Sequence, residues 1–281
     1  MAAPLPAREL LNRRFKRIAA TMSNPTAAAP ADPIPECPHC QKPMPLCICD
    51  SVTPIKNRLS LLILQHPQEQ DRALGTARLL AKHFVGATLR VGLSWPSLSK
   101  ALGQPIENAS HWAVLYLGSA HAADLEAEGE ILALNRKGEV ADNQRARLGK
   151  LEGVVLLDGT WSQAKALWWR NPWMLKCQRV ILNPAAPSRY GRLRKEPRKD
   201  GLSTIEAAAT ILSVLEKRPD IAETLNASFD RMLARYREVQ VEMPELAPKP
   251  KKKDYRGYKG RKGAKKGVKK GAKKAAKPRA K

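Results

Sequence analysis

A chain of 281 residues, 43% of them hydrophobic, is long enough to bury one sizeable core and still carry tails or a small second unit. Its 50 Lys and Arg against 26 Asp and Glu give a formal charge of +24, which points to a polyanionic partner, nucleic acid being the commonest. No apolar run reaches the roughly 18 residues a bilayer crossing needs, so a membrane-spanning segment is excluded.

In chain order, the first 35 residues are rich in Ala and Pro and are expected to be a disordered extension. "MAAPLPARELLNRRFKRIAATMSN" is Arg-rich and nearly free of acids, a weak likeness to an organelle transit peptide. It lacks the apolar stretch of a secretory signal, and Met22 is an alternative start. Four of the five cysteines crowd between Cys37 and Cys49, and Cys177 stands alone. That is not the spread of a disulfide framework, so a reducing, cytoplasmic setting is expected.

"RLSLLILQH" (58–66) is a continuous apolar run of the kind that makes a buried parallel strand. Ala73, Leu74, Ala77, Leu80, Ala81 and Phe84 then keep the spacing of one helical face. "ATLRVGL" (87–93) and "WAVLYLG" (112–118) read as strands, and "EILALNR" (130–136) is ambiguous. "GVVLLDG" (153–159) is the clearest strand, and "QRVILN" (178–183) suits another. Between them, Thr160 and Gln163 form a T-x-x-Q capping box that starts a helix at Trp161, ending before Asn171-Pro172. Trp168 and Trp169 are expected to be packing residues. Ser203 and Glu206 form a second capping box, for a helix striped by Ile205, Ala208, Ala209, Leu212 and Leu215 and stopped by Pro219. A last helix is striped by Ile221, Leu225, Phe229, Met232, Leu233 and Tyr236. Strands alternating with helices predict an α/β sheet covered on both faces.

From Pro248 to Lys281 there are 17 Lys and Arg and one acid, a net of +16, which leaves +8 of the total +24 on the preceding 247 residues. This tail, with its "RKGAKKGVKKGAKK" step, has no apolar face to bury and is expected to be disordered. Lysines at this density attract phosphates and give salt-sensitive, sequence-blind affinity. A solubilising tail without a target is the alternative.

Four stretches carry possible chemistry. Cys37, Cys40, Cys47 and Cys49 lie in a C-x2-C-x6-C-x-C pattern. Four soft thiolates so close together suit a tetrahedral Zn²⁺, and a full thiolate shell makes the site structural rather than catalytic. Asp158 ends the clearest strand, at the sheet edge where α/β proteins bind ligands, and a buried carboxylate there is costly unless it has partners or a role. The segment from Asn183 to Ala207 has no periodicity and carries six Arg and Lys, so it reads as a long functional loop at the same edge. Within it Arg192, Arg194 and Lys195 are suited to phosphates or a carboxylate. His66 and Glu69, after the first strand, suit a turn cap as well as a catalytic role.

Taken together, D-x-T-W at Asp158, Thr160 and Trp161, the cysteine pattern, "HPQE…TARLL", "SRYGRLRKEP" and "GLSTIEA" resemble the signature of DTW-domain proteins across about residues 37–230. The resemblance implies a tRNA-uridine aminocarboxypropyltransferase with a SPOUT-like α/β domain, a parallel sheet with helices on both faces and a C-terminal trefoil knot, preceded by a small zinc knuckle. It implies transfer of the 3-amino-3-carboxypropyl arm of S-adenosylmethionine to N3 of a uridine in tRNA. Asp158 would then be the base or hold the uridine edge. Leu117, Gly118, Leu182, Leu202 and Ser203 would cradle the donor, and Trp161 would close over it or stack on the base. The expected organisation is an extension over 1–35, a zinc knuckle over 36–55, the catalytic domain over 56–247 and the tail over 248–281. No obligate protein partner is evident. A SPOUT-type RNA methyltransferase and a non-enzymatic RNA-binding zinc protein are the alternatives.

Overall fold

The structure, a computed structural model, describes residues 34–115, 129–184, 186–194 and 201–244. Six strands form one sheet: β1 (Ser60–Gln65), β2 (Ala87–Val91), β3 (Trp112–Leu115), β4 (Ile131–Leu134), β5 (Gly153–Asp158) and β6 (Gln178–Leu182), in the order β2-β1-β5-β3-β6-β4. All neighbours run parallel except β4, which is antiparallel to β6. The fully parallel sheet expected from the alternation of strands and helices is thus corrected at one edge. There the chain turns back at Asn135–Gly138 and Leu134 bridges Val140 in antiparallel fashion, and such an edge strand is common on otherwise parallel sheets. Gln144 covers that edge, its amide donating to the Ala133 carbonyl and accepting from the Ala133 N–H, both at 2.8 Å.

The central strands are apolar throughout because both faces are covered. Leu61, Ile63, Val154 and Leu156 point to one side, with α1 (Ala77–His83), α5 (Thr204–Glu216) and α6 (Pro219–Glu242). Leu62, Leu64, Val114 and Val155 point to the other, with α2 (Leu98–Leu102) and α4 (Trp161–Arg170). The small helix α3 (Gln144–Gly149) leads from β4 to β5. Among the described residues no helix is long and apolar enough to cross a membrane.

Both capping boxes form, at Thr160–Gln163 and at Ser203–Glu206, and both helices start where those boxes put them. The stripe from Ala73 overstates α1, which begins only at Ala77. Before it the chain folds into a short 3-10 turn at Pro67–Glu69 and a further turn closed by the Gly75 N–H on the Arg72 carbonyl at 2.8 Å. The two neighbouring tryptophans part company: Trp168 is buried, whereas Trp169 is 76% exposed, so the packing expected for Trp169 does not occur. One residue is about 100° of helical turn, enough to carry Trp169 off the buried face.

The strand order sets where a ligand fits. From β1 the chain crosses through α1 to β2 on one side, and from β5 it crosses through α4 to β6 on the other. The connections therefore diverge between β1 and β5, and the crevice beyond their carboxyl ends is the topological switch point where open α/β sheets bind ligands.

Candidate functional site

Gln65 ends β1, Asp158 ends β5, and the two are register partners. Alternation along the strands turns both side chains toward α5. The Gln65 amide donates to Asp158 Oδ2 at 2.8 Å, and the hydroxyl of Thr204, first residue of α5, donates to Oδ1 at 2.5 Å. Among the described residues each carboxylate oxygen accepts one side-chain hydrogen bond, which leaves a lone pair toward the crevice. Asp158 is 7% exposed. Gly159 follows because nothing larger fits: a Cβ there would stand 2.8 Å from that of Gln163 and 3.4 Å from that of His66. His66 takes the capping role, its Nδ1 accepting from the Gln68 N–H at 3.3 Å, while its own N–H donates to the Asp158 carbonyl at 2.9 Å. Glu69 is buried and stands 3.6 Å from Arg72 Nε.

The loop before α5 is tied to that helix by Glu206. Its carboxylate accepts from the Ser188 hydroxyl and the Arg189 N–H, both at 2.7 Å, and from the Ser203 hydroxyl at 2.6 Å. Tyr190 is buried edge-on against Phe229, and its hydroxyl donates to the Leu74 carbonyl at 2.7 Å. Arg194 lies 5.3 Å from the Tyr190 ring, while Arg192 is exposed. Trp161, half-buried, opens α4, with Lys165 Nζ 5.6 Å from its ring. Leu182 is buried at the end of β6, Leu202 is half-buried, and Ser203 is buried as the N-cap of α5. Leu117, Gly118 and Lys195 lie outside the described residues. Gln65 and Thr204, which the sequence does not single out, are the groups that hold Asp158. Their only signal is adjacency, Gln65 to His66 and Thr204 to Ser203.

The sulfur atoms of Cys37, Cys40, Cys47 and Cys49 all lie within 4.8 Å of one another, and those of Cys40 and Cys47 are 3.8 Å apart. Tetrahedral thiolates at Zn–S lengths near 2.3 Å stand about 3.8 Å apart, so the cluster fits a zinc ion with no open position. Burial pushes the Cys47 thiol up to about 11 and raises that of Cys49 further, whereas at Cys37 burial is outweighed by the N–H groups of Cys40 and His39 and the thiol falls to about 7. A bound cation would favour the thiolate forms of Cys47 and Cys49 that burial disfavours. From inside the knuckle Lys42 reaches the main body: its ammonium, 7% exposed, donates to the carbonyls of Ala73 and, at 3.4 Å, Arg72. Burial lowers its pKa to about 8, opposed by the charges of Cys40, Cys49 and Asp158.

These features define an α/β protein with a buried carboxylate at a sheet switch point and a four-cysteine cluster braced against it. The DTW domain model matches residues 34–237, and the chain belongs to the DTW-domain family. It is 32% identical over 195 residues to tRNA-uridine aminocarboxypropyltransferase 2 of Mus musculus, covering 68% of this chain and 60% of that one. The Macaca fascicularis protein of the same name is 31% identical over 200 residues, 70% and 61% of the two chains. The Drosophila melanogaster one is 30% identical over 192 residues, 68% and 70%. The match thus spans about 60% of the length of the mouse and macaque relatives. No solved structure matches the chain.

Proposed function

We infer that this protein is a tRNA-uridine aminocarboxypropyltransferase, moving the 3-amino-3-carboxypropyl arm of S-adenosylmethionine to N3 of a uridine. The observation that carries the reading is convergence. "QHPQE", "DGTW", "SRYGRL" and "GLSTIEA" are far apart in sequence, yet their residues meet around Asp158 and the start of α5, and Lys42 ties the cysteine knuckle to the same place. The names of the relatives support the reaction. A SPOUT-like assignment with a C-terminal knot belongs to this reading, supported by the mostly parallel sheet covered on both faces.

The donor's sulfonium supplies an electrophilic carbon and a leaving group that needs no acid. The chain's residues must select which carbon is presented and remove one proton. Uridine N3 bonds to the γ-carbon of the arm, the carbon–sulfur bond breaks onto sulfur, and neutral methylthioadenosine departs. The N3 proton goes to Asp158, whose carboxylate Gln65 and Thr204 hold still with a lone pair free on each oxygen. Leu117, Gly118, Leu182, Leu202 and Ser203 frame the donor in this proposal, Trp161 stacks on the base or donor, and Arg192, Arg194 and Lys195 take the arm's carboxylate or RNA phosphates. The four cysteines hold Zn²⁺ as a brace outside the chemistry. The extension 1–35, knuckle 36–55, catalytic domain 56–247 and basic tail 248–281 are the proposed divisions, and tRNA in the cytoplasm is the proposed partner.

The test uses tRNA and donor labelled separately in the carboxyl and the methyl carbon. Carboxyl label in the RNA is expected. Methyl label would make the protein a methyltransferase, and tight binding with neither label would make it an RNA-binding zinc protein.

A further inference from the structure

Two surface features reach beyond the site just described, and α4 joins them. The first is an exposed ridge. Trp161, Lys165 and Trp169 recur every fourth residue along α4, so they lie one above another over about 12 Å. Trp161, three residues after Asp158, is half-buried, Lys165 is exposed and reaches toward its ring, and Trp169 is 76% exposed at the far end. An indole held this far out in water, one residue from a tryptophan that is buried, presents its ring to something other than the core. Leu175, shortly after the helix, is 62% exposed as well.

The second feature is a cavity of about 900 Å³ lined by Arg136, Arg147, Lys176 and Arg179 among its polar groups, with Leu175 and Pro172 on its wall. Among the described residues no acid lines it. Glu139 and Glu152 stay outside its lining, engaged by Asn135 and His111. Two of the guanidinium groups are fixed in place. Arg147 donates to the Asp142 carbonyl at 2.9 Å and to Gln178 Oε1 at 3.1 Å, and Arg179 donates to the Asn135 carbonyl at 2.8 Å. Ser110 just before β3 and Gln178 at the start of β6 put the cavity at the amino ends of the parallel strands, the edge opposite Asp158.

As the crossover helix from β5 to β6, α4 runs from the Asp158 edge to this one, and Pro172 and Leu175, just beyond its end, already line the cavity. We propose that the exposed ridge of α4 and the basic cavity at its end form one RNA track, which leads the substrate's backbone from the reacting uridine across the α4 face of the sheet. The inference rests on the tRNA reading above and says which surface grips the RNA body. Flat rings alternating with a cation, then four cations without an acid, match the two properties an unpaired or looped RNA strand offers: stackable bases and closely spaced phosphates. A protein partner has no comparable need for unopposed positive charge.

The test measures affinity of the full chain for an unmodified tRNA transcript without donor, across a salt series, and transfer with donor. Trp169→Ala is expected to weaken binding about tenfold and Trp169→Phe to restore most of it, as stacking requires. The pair Arg136→Gln with Lys176→Gln is expected to flatten the slope of log affinity against log salt by about 1.5. In Trp169→Ala and in the paired variant, KM for tRNA rises while kcat stays within about twofold, and Trp169→Phe stays near the wild type in both. Trp169 is too exposed for its loss to unfold the chain, and a thermal melt checks that. Unchanged affinity and salt slope in the variants would overturn the track, as would an equal loss in the Ala and Phe variants. A wild-type protein that binds tRNA and loses affinity in the variants but transfers nothing would retire the reaction and keep the track. Full transfer with indifferent variants would do the reverse.

Discussion

In the proposed reaction, Asp158 is where the chemistry turns on one residue. A carboxylate at 7% exposure is costly to bury unless partners repay the lost hydration, and here Gln65 and Thr204 donate to its two oxygens while Lys42 places a positive charge nearby. Asp158→Asn keeps the size, and its amide oxygen can still accept from Gln65 while its nitrogen donates to the Thr204 hydroxyl, which reverses its role, so the melting temperature should move little. It removes the proposed proton acceptor, and turnover in the transfer assay should fall at least about 100-fold. A variant with full kcat would leave Asp158 a merely structural role. The position of Asp158 can be read from the sequence because the strand before it is a clean apolar run. Its partners cannot: they lie 93 and 46 residues away, and only the strand order 2-1-5-3 brings Gln65 alongside. Trp169 escapes the sequence for a local reason, since two adjacent tryptophans look alike until the helix phase is known.

Among the elements, the cysteine knuckle is the one whose folding the proposed Zn²⁺ would couple to binding. Chelation is expected to lower the melting temperature by on the order of 5–10 °C, corresponding to about 3 kcal/mol for a chain of this size. Refilling with cobalt should give the intense visible absorption of a four-thiolate site. A chelator-treated protein with an unchanged melt would show that Lys42 and the surrounding packing suffice without metal. The starts of helices α4 and α5 are legible to the residue, because a capping box is a local hydrogen-bond pattern written within four residues. The start of α1 is not, because Ala73 and Leu74 keep the helical spacing while serving a turn that Lys42 and Tyr190 fasten from elsewhere in the chain. Nor is the direction of β4, which depends on where the chain re-enters the sheet.

At the scale of the whole molecule, charge would govern how the protein meets the proposed tRNA substrate, and it is divided between a body at +8 and a tail at +16. Removing residues 248–281 should weaken tRNA binding most at low salt and leave kcat unchanged, because the tail adds sequence-blind attraction and no reacting group. If affinity and its salt slope survive the deletion, the tail serves another purpose. The ties that gather the motifs also have a dynamic consequence. The knuckle is bound to the turn before α1, that turn to Tyr190, the Tyr190 loop to Glu206, and the start of α5 to Asp158. Segments linked in such a chain do not fray separately; they open as one cooperative unit. Stripping the metal from the knuckle should therefore release backbone amides around Ser188–Tyr190 and Ser203–Glu206 to exchange together with its own, so that water reaches the buried carboxylate in a single event.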